Sequence, residues 1–383
     1  MKKLLLLGAS GSIGQQTIDL LCNKKINYDL VGVSVGKNIE YLEKLLPLFH
    51  SIKYVYVIDE NIAKSLQNLH KNIKFYSEKD GFESLILDSK PDIVVNALVG
   101  FVGVVPSLIT IKNDIDLALA NKESLVVAGD LIKELLKKSK SELLPIDSEH
   151  VAIDKCLQHI KREDLKTIIL TCSGGPFRNK DKSELLHVTK KDALNHPTWK
   201  MGNKITIDSA TLINKVFEII EAHYLFDVEK ENIKVLIHPE SKVHSMIKNR
   251  KDEILLEYGP SDMRIPIEYA LSYRGNINLG HEEYLKNAAN LHFFEPNEFQ
   301  MSVLNIANLI IDKKGNMGCI LNSANDFLVE EFLNDKISFL DIYKYIEKSL
   351  ENVPYIKKPS LQDIISTNNI VKYYLRNVLK EDK

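Results

Sequence analysis

The sequence predicts an α/β protein: an N-terminal doubly wound parallel sheet, a central α+β domain and a small C-terminal helical bundle. Three observations support this prediction. Short apolar strands alternate with amphipathic helices through the first third of the chain. After about His150 the strands come closer together, and four helical segments occupy the end of the chain. The predicted boundaries are 1–149, 150–272, a linker over 273–298, and 299–383.

Individual elements are predicted from hydrophobic periodicity and from the Gly, Pro and Asn residues that end helices and strands. In the first domain we predict strands over 3–7, 30–35, 54–58, 92–96, 115–118 and 143–146, with helices that include 13–21, 63–69 and 125–138. In the second domain we predict strands over 167–171, 235–237, 245–247 and 253–257 around one helix over 209–223. The C-terminal helices are predicted over 300–311, 319–333, 338–350 and 361–379.

Composition excludes several classes of protein. The chain has 383 residues, with 50 basic against 52 acidic side chains and a hydrophobic fraction of 44%. Because this balance lacks a broad basic surface, we expect no nucleic-acid partner. The four cysteines show no CxxC spacing, which argues against a disulfide framework or a thiolate zinc site and fits a cytoplasmic protein.

Two apolar stretches imitate membrane signals. The run Leu4–Leu7 after two lysines ends at Gly8, which is too short for a signal peptide. The stretch 93–109 is interrupted by Asn96, Gly100 and Pro106 and is interpreted as buried strand, loop and helix start. We therefore expect no membrane segment.

Three glycines stand directly between the first predicted strand and the first helix. Gly8, Gly11 and Gly14 follow the spacing GxxGxxG. Glycines at such a turn let the backbone approach a pyrophosphate, whose charge is stabilised by amide groups at the helix N-terminus. This context is typical of a Rossmann-like dinucleotide-binding sheet. The alternative is a tight turn in another kind of α/β protein.

The end of the second strand indicates which dinucleotide is bound. An NAD enzyme usually offers a carboxylate to the ribose there, whereas this chain has Gly36-Lys37-Asn38. A cation at this place attracts a 2′-phosphate, so the sequence favours NADP. The alternative is that Lys37 is a solvated loop lysine.

Carboxylates and phosphate-binding residue types occur at three places. Asp147 and Glu149 follow a strand, and residues two apart in an extended strand end point the same way, so both can reach one hard cation. Glu218 lies on the predicted helix with Thr211, Asn214 and Lys215 on the same face. An isolated Lys–Glu pair of this kind would otherwise be a surface ion pair that contributes little.

Two loops add further candidates. Ser173-Gly174-Gly175 can present a hydroxyl group and amides to an anion. The segment from His196 to about residue 205 carries Trp199, the single tryptophan of the chain, in a polar loop. A lone tryptophan usually belongs to a core, but this loop suits a lid that excludes water from a substrate.

These motifs together resemble the 1-deoxy-D-xylulose 5-phosphate reductoisomerase family. The resemblance covers nearly the whole chain and rests on GASGSIG, GKN, LANKESLV, LPIDSEH, SGGPFR, HPTWKMGNKITIDSATLINK, IHPESKVHSM and LNSAND. It implies isomerisation and NADPH-dependent reduction of this ketose phosphate to 2-C-methyl-D-erythritol 4-phosphate, in the non-mevalonate route to isoprenoid precursors. It also implies one Mg²⁺ or Mn²⁺ ion per site and a homodimer. Asp326 stands where a Glu is frequent, and Cys172 where a Gly is common.

The resemblance implies a role for particular residues. Asp147, Glu149 and Glu218 would hold the metal, and with Lys122 and His196 they form the catalytic group. The residues implied in substrate binding are Lys122, Ser148, Glu149, Ser173, His196, Trp199, Met201, Ser209, Asn214, Lys215 and Glu218. The residues implied in cofactor binding are Gly8, Ser10, Gly11, Ser12, Ile13, Gly36, Lys37, Asn38, Asn121, Glu123 and Gly202.

Two other functions stay open at this point. One is a metal-independent NADP semialdehyde dehydrogenase with Cys172 as its nucleophile. The other is an NADP sensor without catalysis that binds partners through its helical tail. Dependence of turnover on a divalent metal would exclude the first, and turnover itself would exclude the second.

Overall fold

The computed structural model describes residues 1–78, 81–198, 201–275 and 290–382. The chain forms two compact units. The first consists of Met1–Ser124, Leu131–Val151 and Asp262–Ile277, and the second of Leu125–Asp130, Ala152–Ser261 and Asn278–Lys383. The domain boundaries given by the sequence stay a prediction.

The first unit is built on a seven-stranded sheet in which every pairing is parallel. In sheet order the strands are β4 (Lys74–Tyr76), β3 (Tyr54–Val57), β2 (Tyr28–Gly36), β1 (Lys2–Leu7), β5 (Ile93–Asn96), β6 (Asp116–Leu119) and β7 (Leu143–Pro145). The helices up to β7 are α1 (Ser12–Cys22), α2 (Ile39–Leu45), α3 (Glu60–Leu69), α4 (Gly81–Ser89), α5 (Val104–Lys112) and α6 (Lys122–Leu136). The predicted doubly wound sheet is confirmed.

The centre of this sheet is apolar throughout. Leu4–Leu7 of β1 and Ile93–Val95 of β5 have no exposed surface, as expected where helices cover both faces of a parallel sheet. The strand order reverses between β1 and β5, which is the switch point where α/β sheets bind ligands. The stretch 93–109 is strand, 3₁₀ turn and helix start, as predicted. Among the described residues, no helix is both long and apolar enough to cross a membrane.

A helix from later in the chain completes the first unit. Helix α11 (Arg264–Leu271) packs against α1, and Ile267 and Leu271 join the sheet core. Tyr28 Oη donates a hydrogen bond of 2.6 Å to the Leu271 carbonyl, and Tyr273 Oη donates one of 2.6 Å to Asp116. These contacts anchor the end of α11 to the first unit.

The second unit combines a mixed four-stranded sheet with helices. The sheet order is β11 (Ile254–Tyr258), β10 (Val243–Asn249), β8 (Leu165–Cys172) and β9 (Ile233–Ile237), and β8 and β9 run parallel. Its helices before the sheet is complete are α7 (Ser148–Leu157), which begins in the first unit, α8 (Lys190–Leu194), α9 (Asn203–Ala210) and α10 (Ile213–Phe226). The C-terminal helices are α12 (Glu298–Lys313), α13 (Met317–Leu333), α14 (Phe339–Asn352) and α15 (Leu361–Glu381).

Local signals explain the C-terminal helices. Asn297, Ser338 and Ser360 each begin a helix with a capping box, in which the cap side chain and the third helical residue exchange hydrogen bonds. Helix α13 is the most buried of the four, and its apolar residues join those of α10 in one core. The predicted α+β arrangement and helical C-terminus are confirmed.

Three details differ from the sequence prediction or fall outside it. Strand β4 was not predicted, because its three residues are too short for a periodic pattern. The single helix predicted over 209–223 is two helices, α9 and α10, because Leu212 takes a left-handed conformation with φ of 61°. Of the predicted linker, residues 276–289 lie outside the described residues, and Phe294 pairs with Ile237 beside β9.

Candidate functional site

The glycine turn after β1 is shaped by close backbone packing. Gly8 has φ of +85°, and a Cβ there would lie 2.5 Å from the Ala97 carbonyl oxygen after β5. A Cβ on Gly14 would lie 2.3 Å from the Gly8 oxygen. Gly11 precedes α1 and provides no side-chain cap for the first amides of this helix. The turn therefore has the backbone form that a pyrophosphate requires.

The remaining predicted cofactor residues of this edge lie close to the turn. Ser10 Oγ donates a hydrogen bond of 3.3 Å to the Val35 carbonyl of β2, while Ser12 is exposed and Ile13 half-buried in the first turn of α1. After β2, Gly36 has φ of +59° and Lys37 is exposed. Asn38 caps α2 by accepting a hydrogen bond of 3.1 Å from the Tyr41 amide.

Asn121 and Glu123 make hydrogen bonds to the turn after β5 that the sequence did not reveal. Both side chains are buried. Asn121 Nδ2 lies 3.0 Å from the carbonyl oxygens of Leu98 and Gly100, and Glu123 accepts a hydrogen bond of 3.0 Å from the Gly100 amide. Together they fix the turn after β5 beside the glycine turn.

The first unit also carries two of the predicted metal ligands. Lys122 Nζ, at the start of α6, donates to Asp147 Oδ2. The Asp147 Oδ1 atom accepts a hydrogen bond of 3.1 Å from the Glu149 amide, and Ser148 Oγ donates one of 2.6 Å to Glu149. All four residues are half-buried. The site therefore combines carboxylates, a cation and a hydroxyl group.

The geometry predicted for Asp147 and Glu149 was wrong in one respect. They do not lie in an extended strand end, because α7 begins at Ser148 and the Val151 amide donates to the Asp147 carbonyl. Asp147 stands at the helix cap and Glu149 in its first turn, where the helix dipole favours acidic side chains. The same turn places buried His150, which was not predicted as a site residue, with Nδ1 3.3 Å from Asp147 Oδ1. The helical spacing of three residues is the signal that could have identified it.

The polar face of α10 lies in the second unit. Lys215 is only 2% exposed, and its Nζ donates to Glu218 and, over 2.5 Å, to the Thr171 carbonyl of β8. Asn214 Nδ2 donates a hydrogen bond of 2.5 Å to the other oxygen of Glu218. Thr211 is not part of this face, since it lies before α10 and its hydroxyl group donates to the Ile207 carbonyl. The pair Lys215–Glu218 is buried and is hydrogen-bonded to the Asn214 side-chain amide, so it is not the surface ion pair of the alternative interpretation.

Beside this face, His196 lies between two serine hydroxyl groups. Its Nε2 atom is 3.2 Å from Ser173 Oγ and 3.1 Å from Ser209 Oγ. Its Nδ1 atom accepts a hydrogen bond of 3.2 Å from the Thr198 amide. Burial lowers the pKa of His196, so the neutral form is favoured.

This pattern favours one tautomer of His196. Because Nδ1 of neutral His196 accepts, its proton is on Nε2 and points towards the serine oxygens. Ser173 Oγ accepts a further hydrogen bond of 3.1 Å from the Gly175 amide. Each serine then keeps its own hydroxyl hydrogen for donation to another acceptor, and three phosphate oxygens are acceptors of this kind.

The predicted lid residues can be placed only in part. Trp199 lies outside the described residues, Met201 is half-buried, and Gly202 caps α9 with no atom within 4 Å of an added Cβ. Cys172, at the end of β8, is half-buried.

Comparisons with known proteins agree along nearly the whole chain. One family model, described as 1-deoxy-D-xylulose 5-phosphate reductoisomerase, matches residues 4–129, and two models of its C-terminal domains match 143–226 and 258–374.

Curated relatives and solved structures carry the same name. A protein of Thermoanaerobacter pseudethanolicus is 42% identical, covering 97% of this chain and 98% of the relative. One of Bacillus cereus is 41% identical, covering 98% and 99%. A crystal structure of DOX-P reductoisomerase with NADPH, fosmidomycin and magnesium is similar with a TM-score of 0.91 and 32% identity, covering 99% of this chain and 98% of that one. The Zymomonas mobilis enzyme with NADPH gives a TM-score of 0.89 and 32% identity, covering 99% of both chains.

Proposed function

The chain belongs to the 1-deoxy-D-xylulose 5-phosphate reductoisomerase family, and we propose how its residues carry out that family's reaction. The resemblance predicted from the sequence is confirmed, and so is the function. The chain is an NADPH- and metal-dependent oxidoreductase that converts 1-deoxy-D-xylulose 5-phosphate into 2-C-methyl-D-erythritol 4-phosphate. This assignment sets aside the semialdehyde dehydrogenase and sensor alternatives.

The observation that carries our residue assignment is the pair of serines on His196. A phosphate monoester needs several donors at one place, and Ser173 and Ser209 keep their hydroxyl hydrogens for donation. Asn214 and Lys215 lie on the neighbouring helix and supply an amide and an ammonium group. We assign the substrate phosphate to these four residues. Binding energy from this remote group can orient the reacting carbons.

The carboxylates fit a divalent metal ion. Asp147, Glu149 and Glu218 offer hard oxygen donors of the kind that Mg²⁺ and Mn²⁺ prefer. Two of these carboxylates form ion pairs, Asp147 with Lys122 and Glu218 with Lys215. The lysines therefore compensate part of the negative charge of the site. We assign the metal to these three carboxylates. When bound, such an ion polarises neighbouring carbonyl and hydroxyl oxygens of a substrate.

The glycine turn fits NADPH. A Cβ at Gly8 or Gly14 would collide with the backbone, and the uncapped start of α1 provides amides for a pyrophosphate. Lys37 is exposed and can approach a 2′-phosphate. We assign the remaining cofactor contacts to Ser10, Gly11, Ser12, Ile13, Gly36, Asn38, Asn121, Glu123 and Gly202. The contacts of Asn121 and Glu123 with the turn after β5 support an additional positioning role for these two residues.

Lys122 and His196 complete the proposed catalytic group. The ammonium group of Lys122 stabilises negative charge that develops on a substrate oxygen near Asp147. Burial lowers the pKa of His196 and so favours its neutral form, which orients the two serines without adding a charge. Ser148, Trp199 and Met201 are assigned to the substrate through family resemblance alone.

Enzyme assays test these assignments directly. Purified protein should oxidise NADPH only when 1-deoxy-D-xylulose 5-phosphate and Mg²⁺ or Mn²⁺ are both present, as measured by NADPH absorbance. A chelator should stop the reaction, and added Mn²⁺ should restore it. Cys172→Ala is the matched control and should retain turnover. Loss of turnover in that variant, with no effect of the chelator, would contradict the proposal.

We also propose a homodimer in the cytoplasm. Edge strand β11 exposes Ile254 at 54% and Leu256 at 44%, an apolar strip that a second copy can cover. The four cysteines, all among the described residues, form no disulfide, which suits a reducing compartment. Sedimentation equilibrium of the wild type and of Ile254→Lys tests the dimer, which the substitution should weaken.

A further inference from the structure

A partly buried ionic network joins the helix that carries Ser209 to the C-terminal helices. We propose that this network, formed by Lys204, Asp208, Asn325 and Asp326, positions Ser209 for the substrate phosphate. The inference rests on the proposed phosphate site. Unlike Ser209, none of the four residues has a role in the mechanism above.

The contacts join α9 to α13. Lys204 Nζ lies 2.8 Å from Asp208 Oδ2 and 3.2 Å from Asp326 Oδ1. Asn325 Nδ2 donates a hydrogen bond of 2.8 Å to the other oxygen of Asp208. Asp208 and Asn325 are buried, and Lys204 and Asp326 are half-buried. One ammonium group is therefore shared by two carboxylates from different helices.

A third helix also contacts the shared lysine. Lys204 Nζ lies 5.3 Å from the centre of the Phe217 ring on α10, within the range of a cation–π contact. Lys204 thus touches groups on α9, α10 and α13. Asn214, Lys215 and Glu218 lie on α10, so the network connects both helices of the proposed phosphate site.

The placement of these charges is not explained by the stability of α9 itself. Lys204 is the second residue of this helix and Asp208 lies near its C-terminal end. The helix dipole disfavours a cation such as Lys204 near the N-terminus and an anion such as Asp208 near the C-terminus. A Lys that precedes an Asp by four residues is also the weaker orientation for an ion pair. Contacts to α13, rather than local helix stability, therefore account for these two residues.

The network fixes the orientation of Ser209. Asp208 is the residue directly before Ser209, so a helix held at Asp208 cannot rotate without displacing the next side chain. A rotation of α9 would also change the 3.1 Å contact between Ser209 Oγ and His196 Nε2. Asp208 is accordingly a positioning residue that acts through Ser209.

A double-mutant cycle tests this dependence. Asp208→Asn should raise KM for 1-deoxy-D-xylulose 5-phosphate about tenfold, with little change in kcat, as expected for one weakened hydrogen bond. The inhibition constant of inorganic phosphate should rise by a similar factor, while the Kd of NADPH stays constant. Ser209→Ala should have a comparable effect, and the double variant should not exceed Ser209→Ala alone.

Other outcomes would overturn the inference. If the KM of the double variant rises by the product of the two single increases, Asp208 does not act through Ser209. An unchanged KM in Asp208→Asn would show the same. Asp335→Asn removes the exposed Lys190–Asp335 pair just after α13 and is the matched control, which should leave KM unchanged. If Asp208→Asn does not fold, Asp326→Asn replaces it with the same expectation.

Failure of the proposed function can be distinguished from failure of this inference. If the wild type does not turn over this ketose phosphate, calorimetric titration with inorganic phosphate still reports the site. If the wild type binds phosphate and Asp208→Asn binds it with the same Kd, the network does not position Ser209, whatever the substrate is.

Discussion

The two candidate ligand-binding regions are built from different parts of the polypeptide. In the first unit, the glycine turn between β1 and α1 offers backbone amides and excludes side chains, since a Cβ at Gly14 would lie 2.3 Å from the Gly8 oxygen. In the second unit, the region around α9 and α10 offers side chains, among them Lys215 at 2% exposure and Glu218 with none.

This difference determines how each region should respond to substitution. A backbone site is sensitive to added volume, whereas a side-chain site is sensitive to lost charge and lost hydrogen bonds. Variants of the second unit should therefore change catalysis and substrate binding. Variants of the glycine turn should change the binding of NADPH, whereas variants of Lys122, Asp147 and Glu149, which also lie in the first unit, should change catalysis.

The largest effect is expected for Glu218→Gln. The amide keeps the shape but removes a charge from the proposed metal site, so kcat should fall about 10³-fold, as for a loss of several kcal/mol of charge stabilisation. The Kd of NADPH, measured by fluorescence, should not change. Turnover with unchanged metal dependence would contradict the side-chain role of this region.

Next is the replacement of single glycines by Ala in the first unit. Gly14→Ala should lower the free energy of unfolding by about 1–3 kcal/mol, because its Cβ meets backbone atoms. Gly11→Ala should leave stability intact, since its φ of −79° is ordinary and its closest contact would be 3.4 Å. It should nevertheless weaken NADPH binding if the pyrophosphate approaches this turn. Urea unfolding and NADPH titration of both variants separate the two effects.

Lys215→Met should raise KM for the substrate by the equivalent of about 1–3 kcal/mol, through loss of a charge-assisted hydrogen bond. It should also destabilise the protein, because Glu218 loses the partner of its buried charge. Lys215→Met/Glu218→Gln is the control and should recover stability but not activity. Continued instability of the double variant would argue against the buried pair as the cause.

Lys37→Ala should have a smaller and selective effect. If Lys37 binds the 2′-phosphate, the Kd of NADPH should rise about tenfold while that of NADH stays constant. Lys53→Ala, an exposed lysine beside β3, is a suitable control. Equal weakening of both cofactors by Lys37→Ala would indicate a solvated loop lysine instead.

The smallest effect concerns pH. Because burial lowers the pKa of His196, the unfolded chain binds this proton more readily than the folded protein does. Stability from neutral His196 is present above the unfolded pKa of about 6.5 and is lost as the pH falls towards the folded pKa. His196→Gln should flatten the pH dependence of unfolding in that range. An identical slope in wild type and variant would contradict the burial effect.

The fold could be predicted because its signals are local. Buried strands such as Leu4–Leu7 and the capping residues Asn297, Ser338 and Ser360 can be identified without tertiary information. Strand β4 could not, because three residues do not establish a period. The break between α9 and α10 could not either, since a left-handed Leu212 is held by tertiary packing of its buried side chain.

The candidate site was predictable in type but not in detail. The spacing of Asn214, Lys215 and Glu218 indicated one polar face, and the structure joins all three through hydrogen bonds. The hydrogen bonds by which Asn121 and Glu123 hold the turn after β5 could not be predicted, because they link residues more than 20 positions apart. Asp208 was hidden for the same reason, since Asn325 is 117 residues away.

Titration with Mn²⁺ followed by electron paramagnetic resonance tests the central assignment most directly. If Asp147, Glu149 and Glu218 share one cation, the wild type should bind one tight Mn²⁺ per chain, and Asp147→Asn and Glu218→Gln should each abolish that binding. Tight binding that survives Glu218→Gln but is lost in Asp147→Asn would show that the ion is held without α10, and would contradict the account.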